Sequence, residues 1–286
     1  MVVLRYPEVE KFRMHGYTYE NLKDARRIVE KKEQSFIIIN DGKTGLGKST
    51  LSIQQAFFFA RGDRKKFNQE HVLYDPNPSF DKVANSKKGD VWIFDESIIF
   101  NSRSAMSQYN KDMILLLSTI RSKQIYIILN IPSFFDLDRA ITMNLANILF
   151  HLYGECFGDR GRYLVFDDKR MKDLFIKGKK TYTYGLVKAN FRADFGPGFL
   201  LDKEIYDAEK AKAINNMRKK VKKSLNKKVL QRDFLLAYLT QKLNISYNDI
   251  NKLIPEELRF GISTVSDALV RIRDKYDPEW FKKRKL

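Results

Sequence analysis

The sequence predicts an α/β protein: a mainly parallel sheet flanked by helices, a β-hairpin extension, and a small all-α domain at the C-terminus. Three observations carry this. Short runs of branched apolar residues, such as Ser35-Phe36-Ile37-Ile38-Ile39-Asn40 and Val91-Trp92-Ile93-Phe94, read as buried strands. Stretches of helical periodicity alternate with them, as a parallel sheet covered on both sides requires. Beyond residue 200 the strand signals stop, and a Lys-rich segment leads into amphipathic helices.

The elements follow in order. Residues 18 to 33 predict a helix, with Thr18 as N-cap and Leu22, Ala25, Arg26 and Val29 at helical spacing. Strand 35–40 comes next, then a Gly-rich turn and a helix from Thr50 that ends near Gly62. Val72-Leu73-Tyr74-Asp75 is a short strand before the turn signal Pro76-Asn77-Pro78. Strand 91–96 is followed by a helix over 111–122, with Met113, Leu116, Leu117 and Ile120 on one face, and a strand over 124–130. Segments 148–153, 162–167 and 181–195 are strand-like with Gly-rich turns, predicting the hairpin extension at the sheet edge. From Lys210 to Arg232 there are ten Lys or Arg and no Asp or Glu, a helix or a flexible arm. Residues 231–243 predict an amphipathic helix with Phe234, Leu235, Tyr238 and Leu239 inward. Ser246 opens a second helix ending near Ile254, and Ser263 caps a third with Val265, Ala268, Leu269 and Ile272 inward. The expected domains are 1–200, a basic linker or helix over 201–229, and a helical domain over 230–286.

Composition bounds the function. The 286 residues carry a net charge of +18, which favours an anionic partner, nucleic acid first and an anionic membrane surface second. A hydrophobic fraction of 43% with 21 Phe supports a sizeable core. The lone Cys156 excludes an intramolecular disulfide and suits a reducing compartment. With no signal-peptide core at the start and no run of ~20 apolar residues, a soluble cytoplasmic protein without membrane insertion is expected. His15, His71 and His151 show no metal-ligand spacing around Cys156.

The motif with the most specific chemistry is Gly42-Lys43-Thr44-Gly45-Leu46-Gly47-Lys48-Ser49, which fits G-x-x-x-x-G-K-[ST] between a strand and a helix. Glycines let backbone N–H groups turn inward around phosphates, and the helix N-terminus adds its positive end. Together with Thr50 these residues form a candidate nucleotide cradle. Lys48 is placed to reach the β- and γ-phosphates of ATP, and the Ser49 hydroxyl to hold Mg²⁺. The fold expected is therefore that of a P-loop NTPase.

Hydrolysis also needs a carboxylate in the metal shell, a group that activates water, and positive charge on the transition state. Asp95 and Glu96, two acids closing an apolar strand, supply the first two: Asp95 as metal-shell carboxylate, Glu96 as catalytic base. Asn130 ends the next strand, where a polar side chain can sit between the γ-phosphate and water; it can equally be a strand-ending Asn before Pro. Arg121 either caps the preceding helix or acts as an arginine finger in a neighbouring subunit's site, with Arg103 and Arg139 as weaker rivals.

Residues 35–150 then resemble the FtsK/HerA-type P-loop ATPases, RecA-like proteins of the additional-strand, catalytic-glutamate class. This group includes plasmid and viral DNA-pumping ATPases and the zonula-occludens-toxin-like phage assembly proteins. The resemblance rests on the phosphate loop, Asp95-Glu96, Phe100-Asn101-Ser102-Arg103, Ile120-Arg121-Ser122 and Ile131-Pro132-Ser133-Phe134-Phe135-Asp136-Leu137-Asp138-Arg139. One departure is Asn130 where those families usually have Gln. The resemblance implies a homo-oligomeric ring, often a hexamer, with the finger acting in trans.

The C-terminal third supplies a binding partner for such an enzyme. Lys210 to Arg232 would bind phosphates without sequence preference. Three short helices, the last exposing Thr264, Ser266, Asp267, Arg271 and Arg273, resemble a helix-turn-helix DNA-binding domain, although the 255–262 connection is longer than usual. A plain three-helix interaction module fits the same pattern. Lys282-Lys283-Arg284-Lys285 closes the chain as a basic tail. The expected function is a DNA-acting motor that hydrolyses ATP, for translocation, packaging or transfer of DNA. The alternatives are an ATP-switched loader or initiator that binds DNA and turns over slowly, and a nucleotide-gated regulator.

Overall fold

A computed structural model describes the chain except residues 8, 75–79, 96–102, 157, 242, 253–263, 265 and 271–286, and except the side chains of 103–109, 217–229, 241 and 247. The chain divides into two compact units, Met1–Ala213 and Ile214–Leu286.

The first unit opens with an antiparallel hairpin, β1 (Val2–Tyr6) and β2 (Val9–Met14). The α1 helix (Gly16–Lys32) follows, then β3 (Phe36–Asp41) and α2 (Lys48–Phe59). Next come β4 (Val72–Leu73), a short α3 (Phe80–Ala84), β5 (Val91–Asp95), α4 (Arg103–Thr119) and β6 (Tyr126–Ile131). The unit continues with β7 (Ile148–Tyr153), β8 (Arg162–Asp167), α5 (Asp168–Gly178) and β9 (Phe191–Asp194). It ends in the first residues of α6 (Lys203–Gln241).

Seven strands form one sheet in the order β4-β5-β6-β3-β7-β8-β9. The first five are parallel; β8 and β9 turn back antiparallel at the edge. The molecule is thus mixed α/β, with a mostly parallel central sheet flanked by helices, an arrangement compatible with a P-loop NTPase fold. Continuous burial of β5 and β6 shows why: each strand must shed water on both faces, so branched apolar residues occupy nearly every position. Alternate residues split between the faces. Ile38, Ile93, Ile128 and Phe150 join a core with Leu51, Phe57 and Phe58 of α2 and with Phe12 and Met14 of the hairpin. Ile37, Ile39, Ile127 and Leu129 are equally buried but outside that cluster. They point to the opposite face, as the two-residue period of a strand requires.

Several elements differ from expectation. Thr18 caps nothing: α1 starts at Gly16, and the Thr18 hydroxyl is buried against the Tyr163 hydroxyl at 2.7 Å. The α4 helix starts eight residues earlier than the apolar stripe suggested. Of the predicted strand 181–195 only 191–194 is extended, and α5 occupies residues 168–178, where only a turn was expected. Asp167 caps α5 by accepting from the Arg170 N–H at 2.9 Å.

The basic stretch from Lys210 and the amphipathic segment after it form one continuous helix, α6. In the second unit Leu236, Ile250 of α7 (Tyr247–Lys252) and Ala268 are buried together, with Leu239 and Ile245 packed against them. The inward face therefore carries Leu236 and Ala237, while Phe234, Leu235 and Tyr238 are exposed. The expected face was rotated because those apolar residues are consecutive and fit more than one stripe. Ser246 accepts from the Asp249 N–H at 3.1 Å and its hydroxyl donates to the Asp249 carboxylate at 2.6 Å, a capping-box-like start of α7. Ser263, Val265, Ile272, Arg271, Arg273, the 255–262 connection and the basic tail lie outside the described residues.

Candidate functional site

Strand β3 ends at Asp41 and α2 begins at Lys48, so the turn between them is the Gly-rich motif itself. Three of its glycines have positive φ: Gly42 at 136°, Gly45 at 90° and Gly47 at 96°. L-residues rarely adopt these values. A Cβ on Gly42 would stand 2.4 Å from the Leu152 carbonyl oxygen, and one on Gly47 would stand 2.9 Å from the Phe195 ring. The loop is thus pressed between β7 and the segment after β9, and only glycine fits at those two points. The Lys48 ammonium folds back and donates to the Gly42 and Lys43 carbonyls, the latter at 3.0 Å. At the N-terminus of α2 the first N–H groups have no intrahelical carbonyl to meet and are available to an anion.

Strand order brings the second motif in. The β6 strand lies between β3 and β5, pairing Asn40 with Asn130 and Asn130 with Asp95 in register. Three polar side chains thus stand side by side across the C-terminal strand tips. The Asp95 carboxylate is 4% exposed and lies two strands from the loop strand. Even so, the Ser49 hydroxyl donates to its Oδ2 at 3.3 Å. Asn130 donates to Asp95 Oδ1 at 3.3 Å, and its own carbonyl oxygen meets the Ser52 hydroxyl of α2. Asn40 adds donors to Ser52 and Gln55, each at 2.8 Å. This buried amide and hydroxyl network ties three strands to α2 and fixes the loop over the sheet.

Two residues complete the Asp95 environment: Tyr206, which sequence reasoning did not single out, and Lys210, which it assigned to a basic stretch for an external partner. Tyr206, in the first turn of α6, donates its hydroxyl to Asp95 Oδ2, and Lys210 one turn on donates to the same oxygen at 2.8 Å. Burial, then the neighbouring Asp95 charge, push the Tyr206 hydroxyl far above the ordinary tyrosine range, so it remains a donor. Tyr206 is held by edge-on contacts to Phe199, with centroids 5.1 Å apart, and to Tyr74, at 5.8 Å. No local pattern marks Tyr206; its partner is 111 positions upstream.

A cleft of about 550 Å³ opens over these groups, lined by the loop, Asp95, Asn130, Arg160, Phe195 and the start of α6. That volume suits a nucleotide-sized ligand. The segment after β9 forms one wall: Gln54 of α2 donates to the Gly196 and Gly198 carbonyls at 2.9 and 2.8 Å. Behind the loop, Asp41 is fully buried, its carboxylate meeting His151 Nδ1 at 2.9 Å, the Phe134 N–H at 2.9 Å and the Tyr184 hydroxyl.

The cleft therefore gathers Gly42 to Thr50, Asp95 and Asn130. Glu96 lies outside the described residues, as does the Arg103 side chain. Arg121 stands at the other end of the sheet. Its carbonyl accepts from the Ser35 N–H at 2.7 Å, just before β3 begins. The six residues of β3 put it roughly 20 Å from the loop. Arg139 is exposed after the β6 strand. The Ser49 hydroxyl and Asp95 carboxylate are hard oxygen donors of the type Mg²⁺ takes, so the residues present fit that ion.

No family model and no curated protein matches the chain. Among solved structures, the N-terminal domain of zonular occludens toxin from Neisseria meningitidis is similar at 15% identity, with a TM-score of 0.34, over 61% of this chain and 98% of that domain. No helix of the described residues is long and apolar enough to cross a membrane.

Proposed function

We propose that this chain is a Mg²⁺-dependent P-loop ATPase of the FtsK/HerA-like type whose turnover acts on DNA. The observation that carries the hydrolytic reading is the 3.3 Å contact between Ser49, first turn of the loop helix, and Asp95, tip of a strand two places away. A chance Gly-rich turn has no reason to meet an acid-tipped strand across an intervening one. The intervening strand, tipped by Asn130, is also the placement that the additional-strand class implies.

In this reading Gly42, Lys43, Thr44, Gly45, Leu46, Gly47 and Thr50 cradle the phosphates through backbone and side-chain donors. Lys48 leaves the Gly42 and Lys43 carbonyls for the β- and γ-oxygens, a charge-assisted exchange. Ser49, and Asp95 through water, would hold Mg²⁺, which would neutralise phosphate charge when bound. Glu96 takes the proton of the attacking water, and Asn130 orients that water. Arg121, too far to serve its own site, acts as a finger in the site of a neighbouring copy within a ring.

The DNA partner rests on charge: +18 overall, with ten Lys or Arg and no acid over 210–232. The 230–286 region, helix-turn-helix-like, would add contacts. Steady-state ATPase measurement with and without single- and double-stranded DNA tests the proposal. A motor is strongly stimulated by long DNA of any sequence. A slow loader or switch binds DNA with ATP but turns over near its basal rate, and a chain with no Mg²⁺-dependent hydrolysis is no ATPase.

A further inference from the structure

The carboxylate assigned to the metal is already satisfied by the protein. Asp95 Oδ2 receives Ser49, Tyr206 and Lys210, and Oδ1 receives Asn130. A carboxylate this buried is stable as an anion only with a cation or several donors against it. In this structure the cation is the Lys210 ammonium, 2.8 Å away and itself 24% exposed at the side chain. A divalent ion held on Asp95 through water would stand close to the Lys210 ammonium, and like charges disfavour holding both. Oδ2 already receives three donors, so a water of the metal shell would have to displace one of them.

We propose that Lys210 and Tyr206 form a latch that stands in for the metal on Asp95, so that loading of metal and nucleotide requires the first turns of α6 to release it. The proposal rests on the P-loop ATPase reading. Lys210 and Tyr206 sit one turn apart on the same helix face, so they engage and leave together. Both line the cleft, so a released Lys210 moves along the wall that faces the phosphate loop. Apart from the latch, the start of α6 is held by Asp202, which accepts from the Glu204 and Ile205 N–H groups at 3.0 and 3.1 Å, by the Tyr74 hydroxyl donating to the Tyr206 carbonyl at 3.4 Å, by Gln69 donating to Glu209 at 3.3 Å, and by the packing of Tyr206 on Phe199 and Tyr74. The latch also prevents a bare Asp95 from destabilising the empty site.

Amide hydrogen exchange on the full-length protein tests this in three states: without nucleotide, with ATPγS in EDTA, and with ATPγS and Mg²⁺. The expected result is slowed exchange over 42–50 in both nucleotide states, and exchange over 206–213 faster by roughly tenfold only when Mg²⁺ is present. Slowed exchange at 42–50 with 206–213 unchanged or slowed overturns the latch and leaves the nucleotide site standing. No change at 42–50 in either state removes the nucleotide reading, and the latch with it. A second readout is the Mg²⁺ concentration that half-saturates ATPγS binding, which should fall roughly three- to tenfold in Lys210→Met and in Tyr206→Phe. An unchanged or raised value in both variants contradicts the latch.

Discussion

Ser49 and Asp95 are 46 residues apart in the chain, yet the α2 hydroxyl and the β5 carboxylate meet at 3.3 Å across the tip of β6. That contact joins the helix after the Gly-rich loop to the acid-tipped strand. Its geometry depends on Asn130, which fills the gap between β3 and β5 and bonds Asp95 on one side and Ser52 on the other.

Removal of the loop ammonium should abolish nucleotide binding. Lys48→Ala loses the ammonium assigned to the β- and γ-phosphates, and affinity for ATPγS should fall by about a hundredfold or more. Isothermal titration of wild type and variant checks this. The fold should be retained, because Lys48 leaves carbonyls that water can satisfy.

The loop conformation should be intolerant of a methyl group at one defined place. Gly42→Ala combines φ of 136° with a Cβ position 2.4 Å from a backbone oxygen of β7, which cannot swing aside. A loss of about 2–4 kcal/mol in unfolding free energy is expected by denaturant titration. Gly45→Ala, with open space around its Cβ, should cost less.

Stability should decline on mild acidification, partly through His71. Burial pulls its pKa below the ordinary 6.5, against the opposing pull of Asp90 and Glu70. Its Nδ1 lies 3.3 Å from the Asn68 backbone nitrogen and 3.0 Å from Asn68 Oδ1. With the folded pKa depressed, the unfolded chain binds more protons in the window below 6.5, so stability present above that pH is lost as pH falls through the folded value. Unfolding free energy measured from pH 7.5 to 5 should show this slope, and His71→Asn should flatten it.

DNA binding should be electrostatic and concentrated in the basic helix. Replacement of Lys219, Lys220, Lys222 and Lys223 by Gln should weaken binding to any sequence and lower the slope of log affinity against log salt. That slope should be roughly 0.9 per phosphate contact. Affinity that hardly responds to salt would remove the charge argument.

The sheet's central strands were legible because each is a short branched run bounded by punctuation, and the phosphate loop because its glycines and lysine are contiguous. The β1–β2 hairpin was not, since Val9-Glu10-Lys11-Phe12-Arg13-Met14 buries only positions 9, 12 and 14, which breaks the alternation of a strand, and pairs around a Pro. The α5 helix was hidden by its brevity and its run of charges, Asp168-Lys169-Arg170-Met171-Lys172-Asp173. The contribution of Tyr206 and Lys210 was invisible for another reason. Lys210 opens a stretch whose charge suggests an external partner, Tyr206 lies just before it in no recognisable pattern, and their partner, Asp95, is brought to them only by the tertiary fold.

Hydrolysis by the wild type beside Glu96→Gln tests the central claim most directly. With Mg²⁺ and long DNA, the wild type should release phosphate at a DNA-stimulated rate. The variant should bind ATP as tightly while turnover drops by roughly a hundredfold or more, the cost of losing a general base. Equal turnover in the two proteins, or no Mg²⁺-dependent hydrolysis by the wild type, would contradict the account.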